Sequence, residues 1–208
     1  MKRFDIVVFD GVDELDALGP LEVLRGAAKR GAELTVRLVT RVHQEHVIGA
    51  HGLRFVPNAV FEPGAADVVI VTGGGWGARA DVGAWGEAER GDLLPVLRAA
   101  AAASDTMASV CTGAMLLAHA GVIGTRPATT HHSAIDELAA TGATVRSERV
   151  VDDGDLVTAG GVTSGIDLAL WLVEREFSRD VAERVAANLE HPLLPAPARP
   201  AVADELAG

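Results

Sequence analysis

Cysteine is nearly absent. The 208-residue chain holds one, Cys111, so no disulfide forms within it, and a free thiol of this kind fits a reducing, cytoplasmic setting. Basic residues are in short supply. Eighteen Lys and Arg against 29 Asp and Glu give a net charge of −11. With no basic stripe anywhere, nucleic acid is not expected as a partner. Long apolar runs are missing too: none is long and charge-free enough to span a bilayer, and no membrane role is expected. The opening MKRFDIVVFDGVDEL carries only a short run, with Asp5 and Asp10 beside it and no small-residue cleavage site after it. It reads as a first strand and not as a leader. GxGxxG and Walker patterns, internal repeats and domain linkers are all lacking.

What is present is an apolar fraction of 49%, enough for one domain with a sizeable core. We place that domain at residues 1–191 and read 192–208, rich in Pro and Ala, as a loose tail. Short β-branched runs over 4–9, 33–40, 67–75 and 106–110 predict strands buried on both faces. Residues 47–57 predict a hairpin. Helices are predicted from Pro20 onward, with Pro20 in the first turn, and over 92–104, with Pro95 in its first turn. Others are predicted over 112–121, over 133–141 with Ser133 as N-cap, over 165–177 with Thr163 and Ser164 as caps, and over 180–189. A short strand is expected over 128–130. The segments TVRSERVV and DLVTAGG predict two strands joined by a DDG turn. The alternation of strand and helix predicts an open α/β sheet, mostly parallel, with helices on both faces.

Such sheets bind ligands beyond the carboxyl ends of their strands. Three loops fall there: Asp10–Gly19, Thr72–Gly75 and Ser109–Gly113. The last, within SVCTGA, puts Cys111 between a strand and a helix, with small residues two before and two after it. That is the spacing of a nucleophile elbow. A helix N-terminus there lowers a thiol pKa, and the Thr112 N–H is a candidate oxyanion donor. Gly74 is a second candidate donor; Gly75 and Gly19 are candidate pocket positions. On its residues alone, Cys111 stays open between nucleophile and small buried spacer. Asp16 is either an acid that shares a proton with Cys111 or part of a helix cap. His131 is either a site residue or a hydrogen-bonded structural one. Paired with His132 in an extended segment, it would point the opposite way. His43, His46 and His51 lack a set of partners at ligand spacing, so no metal is expected. Gly160-Gly161 reads as a turn, and Trp76 and Trp85 as pocket walls, dimer contacts or loop anchors.

Four segments, LDALGPLEVL, VTGGGWGA, ASVCTGAMLLAHAGVIGTRPATTHH and RVVDDGDLVTAGGVTSGIDLALWLVE, together resemble the DJ-1/PfpI superfamily, within the class I glutamine-amidotransferase-like folds. They look most like its isonitrile hydratase branch. The resemblance runs over residues 3–190. It implies a flavodoxin-like three-layer α/β sandwich, a nucleophile at Cys111, an acidic partner at Asp16, a helping threonine at Thr112, no cofactor, a small-molecule substrate and a homodimer. The pattern departs from that branch at Leu18, where threonine is usual, at Thr72, where proline is usual, and at Gly75-Trp76. These positions are expected around the pocket. Thr112 stands where the peptidase-like branch has histidine. The resemblance therefore points to hydration of an isonitrile. Carbonyl or amide chemistry (glyoxalase-, deglycase- or amidase-like) and a non-enzymatic thiol sensor or ligand-binding domain are the other readings.

Overall fold

A computed structural model of the chain describes residues 1–197. Its first half runs β1 (Lys2–Val7), α1 (Glu14–Ala28), β2 (Leu34–Thr40), β3 (Val47–Ile48), β4 (Arg54–Phe55), β5 (Ala59–Val60), β6 (Val68–Val71), α2 (Ala84–Arg90) and α3 (Leu94–Ala101). The second half runs β7 (Thr106–Ser109), α4 (Gly113–His119), β8 (Pro127–Ala128), α5 (Ile135–Ala140), β9 (Thr144–Val145), β10 (Val150–Asp152), β11 (Leu156–Ala159), α6 (Ser164–Glu176) and α7 (Arg179–Asn188).

The central sheet has the order β10-β11-β7-β6-β1-β2-β5. Only β10 runs antiparallel. Phe4–Val7, β6, β7 and β11 are buried throughout, as strands covered on both faces must be. Burying each Val or Ile there contributes about 1.5–3 kcal/mol. Helices α1, α6 and α7 pack on one another beside β1, β2 and β11, while α2, α3 and α5 gather on α4, which lies against β6 and β7. The strands β2, β1, β6, β7 and β11 reproduce the flavodoxin-like order, and the expected α/β sandwich is what forms.

Several local expectations need correction. Helix α1 starts at Glu14, not at Pro20, because Asp13 caps it by accepting the Leu15 N–H. Pro20 lies inside the helix. Helix α2 forms where the sequence predicts none. It is bracketed by Gly83 at φ 120° and a left-handed Gly91 cap, and held by tertiary contacts. Ser133 is not an N-cap: residues His132–Ala134 form a 3-10 turn, and the His131 ring accepts the Ser133 N–H. Thr163 makes no side-chain cap bond; its hydroxyl accepts from Arg149. The TVRSERVV segment splits, giving β9 to a small parallel pair with β8 and β10 to the main sheet. The strand expected over 128–130 is β8, outside that sheet. The β3–β4 hairpin and the first-turn Pro95 form as expected, and Ser178 caps α7 by accepting the Val181 N–H.

Of the expected tail, residues 198–208 lie outside the described residues. Its start is anchored: Leu193 packs on the core, and His191 Nε2 lies 2.8 Å from Asp167 Oδ1. Among the described residues, no helix is long and apolar enough to cross a membrane.

Candidate active site

The strand ends β1, β6, β7 and β11 meet around Cys111. Cys111 stands two residues past the end of β7 and has φ 57°, a left-handed conformation that side chains with a Cβ rarely adopt. Three bonds hold it there. Its N–H donates to the Ala159 and Gly160 carbonyls, at 3.2 and 2.9 Å. Its carbonyl accepts from Thr130 Oγ1 at 2.9 Å. Tightness explains Gly113 as well, since a Cβ on it would stand 2.1 Å from the Val71 carbonyl oxygen. The elbow expected from the spacing is therefore present. The cysteine is 5% exposed.

Asp16 sits in the first turn of α1 and is fully buried. Its Oδ2 accepts the Gly73 N–H at 3.0 Å, while Oδ1 has no hydrogen-bond partner. The carboxyl faces the Cys111 thiol, and the two interact. Burial first, and the nearby Asp13 charge second, push the carboxyl up to about 8. Burial first, and the Asp16 charge second, push the thiol up to about 12. The expectation of a lowered thiol pKa is thus corrected. The N–H groups of Thr112 and Val162 do favour the thiolate, but burial and the facing carboxyl outweigh them. Two acids this close titrate as a pair that retains a proton.

Thr112 is buried at the start of α4, and its Oγ1 accepts the Gly74 N–H at 3.1 Å. Gly74 is thereby ruled out as a free oxyanion donor, because its N–H is occupied. Gly75 is placed elsewhere, in a hollow with Asp10 and Ile48, where it packs on the Ala80–Val82 segment. Gly19 is not a pocket residue either. A Cβ on it would stand 3.2 Å from Ile166 Cγ1, so it lets α1 approach α6.

His131 is held from the Ser133 side and lines a hollow with Thr130 and Gly161. Its Nδ1 is bonded to Ser133 Oγ at 2.8 Å, and its ring edge lies against Gly161. Its pKa is lowered, first by burial and then by His132. The two histidine rings stand 4.1 Å apart rather than on opposite sides, since His132 begins the 3-10 turn. Trp76 and Trp85 are anchors: they pack edge to face, Trp76 donates to Glu137, and Arg79 lies over Trp85. Thr72 and Trp76 are both buried. Thr72 Oγ1 donates to the Val7 carbonyl, tying β6 to β1. Those departures from the family pattern are structural.

Two residues escaped the sequence reading. Val162, at φ 33°, directs its N–H at the Cys111 sulfur. Glu14 accepts from the His51 and Leu53 N–H groups and from His51 Nδ1, clamping the β3–β4 hairpin to α1. Among the described residues, Asp13, Glu14 and His51 alone bring three possible ligand atoms within 4.8 Å, so His43 and His46 do not join them. The Glu14 oxygens are already taken by hydrogen bonds.

The DJ-1/PfpI family model matches residues 2–175. The chain belongs to the DJ-1/PfpI family. It is 37% identical to an isonitrile hydratase of Pseudomonas putida over 196 residues, covering 94% of this chain and 80% of that one. It is 28% identical to the Parkinson disease protein 7 homolog of Danio rerio, over 90% of this chain and 96% of that one. A crystal structure of a ThiJ/PfpI family protein from Pseudomonas syringae superposes with a TM-score of 0.81 at 26% identity, covering 93% of this chain and 76% of that one. DJ-1/PfpI membership agrees with the sheet order and with the strained cysteine after β7.

Proposed function

We propose that the protein hydrates small isonitriles to N-substituted formamides, with Cys111 as nucleophile and Asp16 as the acid and base. One observation carries this reading: a fully buried carboxyl with one free oxygen faces the chain's only thiol at a strained turn. An isonitrile carbon needs both a proton and a nucleophile, and the pair holds both. Similarity to the Pseudomonas putida isonitrile hydratase supports it.

The active form is the singly protonated pair. The pair's one proton, which the thiol keeps after the carboxyl has lost its own, passes through Asp16 to the isonitrile carbon while sulfur forms the C–S bond, leaving a thioformimidate and a carboxylate. Water adds to the same carbon, and one of its protons passes through Asp16 to nitrogen. The C–S bond then breaks, sulfur keeps the electron pair, and the hydroxyl proton returns to Asp16. The formamide leaves, and the pair is restored. Thr112 holds the Gly73-Gly74 turn in place beside the carboxyl. A homodimer belongs to this reading, and light scattering on the purified protein checks it.

The high thiol pKa weighs against a peroxide sensor, which needs an exposed, acidic thiol. The test is formamide production from simple isonitriles, set against a panel of aldehydes, ketoaldehydes and amides. Turnover of the panel without hydration of any isonitrile would replace this reading with carbonyl chemistry.

A further inference from the structure

The turn between β11 and α6, residues 160–163, is held at both of its ends by one residue. Gly160 donates its N–H to the Arg149 carbonyl at 3.0 Å. Thr163 Oγ1 accepts from Arg149 Nη2 at 3.1 Å. Arg149 stands immediately before β10, the antiparallel neighbour of β11, so its main chain meets the start of the turn and its side chain meets the end. The turn in its own right holds Cys111, because the Gly160 carbonyl accepts the Cys111 N–H at 2.9 Å. It also contains the strained Val162. A left-handed conformation at a residue with a Cβ persists only where its surroundings over-determine it. Both Cys111 and Val162 depend on this turn for that.

The Arg149 side chain is fixed from behind. Its Nε and Nη2 both donate to Asp167 Oδ2, at 2.8 and 2.5 Å. Asp167 is buried in the first turn of α6, and its other oxygen lies 2.8 Å from His191 Nε2. His191 donates its own N–H to the Ala186 carbonyl of α7. Charge-assisted bonds of this kind are short and directional. They set the aim of the guanidinium, and the contact left to it falls on Thr163.

We infer that Arg149 is a positioning residue for Cys111: through the 160–163 turn it holds the cysteine in its left-handed conformation, and Asp167 and His191 hold Arg149. The inference rests on the proposed function only where turnover is read. A second pair supplies the contrast. Arg37 Nε and Nη2 grip the buried Asp5 at 2.8 and 2.7 Å, but that pair joins β2 to β1 and braces no strained turn.

Full-length protein is treated with iodoacetamide, and intact mass follows alkylation of Cys111, the only cysteine. The native cysteine is 5% exposed, and release of the turn should uncover it. Arg149→Met keeps the carbonyl that binds Gly160 and removes the guanidinium. We expect it to be alkylated about fivefold faster than native protein, or more. Thr163→Val and His191→Ala should each give about a twofold to threefold rise. Arg37→Met strands a buried carboxylate in the same way and should stay within about twofold of native. In the double variant, His191→Ala should add nothing to Arg149→Met; full additivity overturns the link through Asp167. Equal acceleration in Arg149→Met and Arg37→Met overturns the inference, since lost stability would account for both. So does native-like alkylation of Arg149→Met or, should that variant not fold, of both Thr163→Val and His191→Ala. With n-butyl isonitrile, kcat of Arg149→Met should fall about fivefold or more while KM stays within about twofold, the mark of a misplaced nucleophile. Arg149→Lys keeps a cation for Asp167 and should recover part of that loss. Native kcat in Arg149→Met overturns the positioning role. Faster alkylation of the variants, with no hydration of any isonitrile by native protein, leaves Arg149 in its role and removes the proposed reaction.

Discussion

Two neighbouring strand-to-helix turns of this molecule solve the same problem with opposite ends of a residue. After β7, Cys111 takes φ 57°; after the adjacent β11, Val162 takes φ 33°. Neither is glycine, so both turns hold a strained backbone. At Cys111 the N–H and carbonyl are both tied down, and the side chain is what the turn presents. At Val162 the side chain lines open hollows, and the N–H is what the turn presents, aimed at the sulfur. One strained turn positions a nucleophile and the other positions a donor for it. The contrast implies that Cys111 is sensitive to side-chain chemistry, whereas Val162 is sensitive to backbone conformation.

The sharpest way to break that contrast is Cys111→Ala. Under the proposed reaction, formamide production should fall by about 10³-fold or more, with the far-UV circular dichroism unchanged. Asp16→Asn comes next. It keeps an acceptor for the Gly73 N–H but removes the exchangeable proton, and kcat should drop about 10²-fold. It also carries a stability signature. Native Asp16 holds its proton up to about 8, whereas the unfolded chain loses it near 3.8. Native protein therefore binds the extra proton between those values, and stability falls as pH rises through that window. Denaturant titrations should find Asp16→Asn more stable than native protein at pH 8, by on the order of 5 kcal/mol. The two should converge below pH 4. For the native protein, the first proton leaves the pair near 8, so kcat/KM should climb through that pH as the singly protonated form appears.

Smaller effects separate the two turns further. Thr112→Val strands the buried Gly74 N–H, which should cost about 1–3 kcal/mol of stability. Displacement of the turn should also slow turnover roughly tenfold, read as kcat rather than KM. Val162→Gly is the mildest. It keeps the N–H and relieves a β-branched residue of a left-handed conformation. We expect a gain of about 1 kcal/mol, or roughly 2–4 °C in Tm, and turnover within about threefold of native. A large loss of activity with the fold intact would show that the Val162 side chain, and not its backbone, serves the sulfur.

Much of this was legible from residue types. The β-branched runs of β1, β6 and β7 announce strands buried on both faces, and the small residues around Cys111 announce an elbow because only they fit it. Asp16 was legible through resemblance, but its placement inside a helix was not. The stretch before Pro20 reads as turn, and only the Asp13 cap reveals that the helix has already begun. Helix α2 was hidden because seven residues between glycines have little intrinsic tendency to coil. Contacts among Trp76, Trp85, Arg79 and Glu137 secure that region, and Glu137 comes from a distant part of the chain. The thiol pKa was misjudged for a related reason. A helix N-terminus is visible in sequence, whereas the depth at which a carboxyl faces it is not. The Val162 donor left no trace at all, since every residue except proline carries the same N–H.

The Glu14 clamp has a practical consequence. Through its bonds to His51 and Leu53, one side chain fastens the β3–β4 hairpin to α1, while the strands that fix Cys111 lie in another sheet. The loop before α1 holds the hairpin as well, where Gly11 donates to the Ile48 carbonyl, Ala50 donates to the Val12 carbonyl and Asp10 accepts the Ile48 N–H, so its tip is the part left to vary. So long as Glu14 and its two backbone donors are kept, the side chains of residues 51–53 can be changed without reworking the reactive pair.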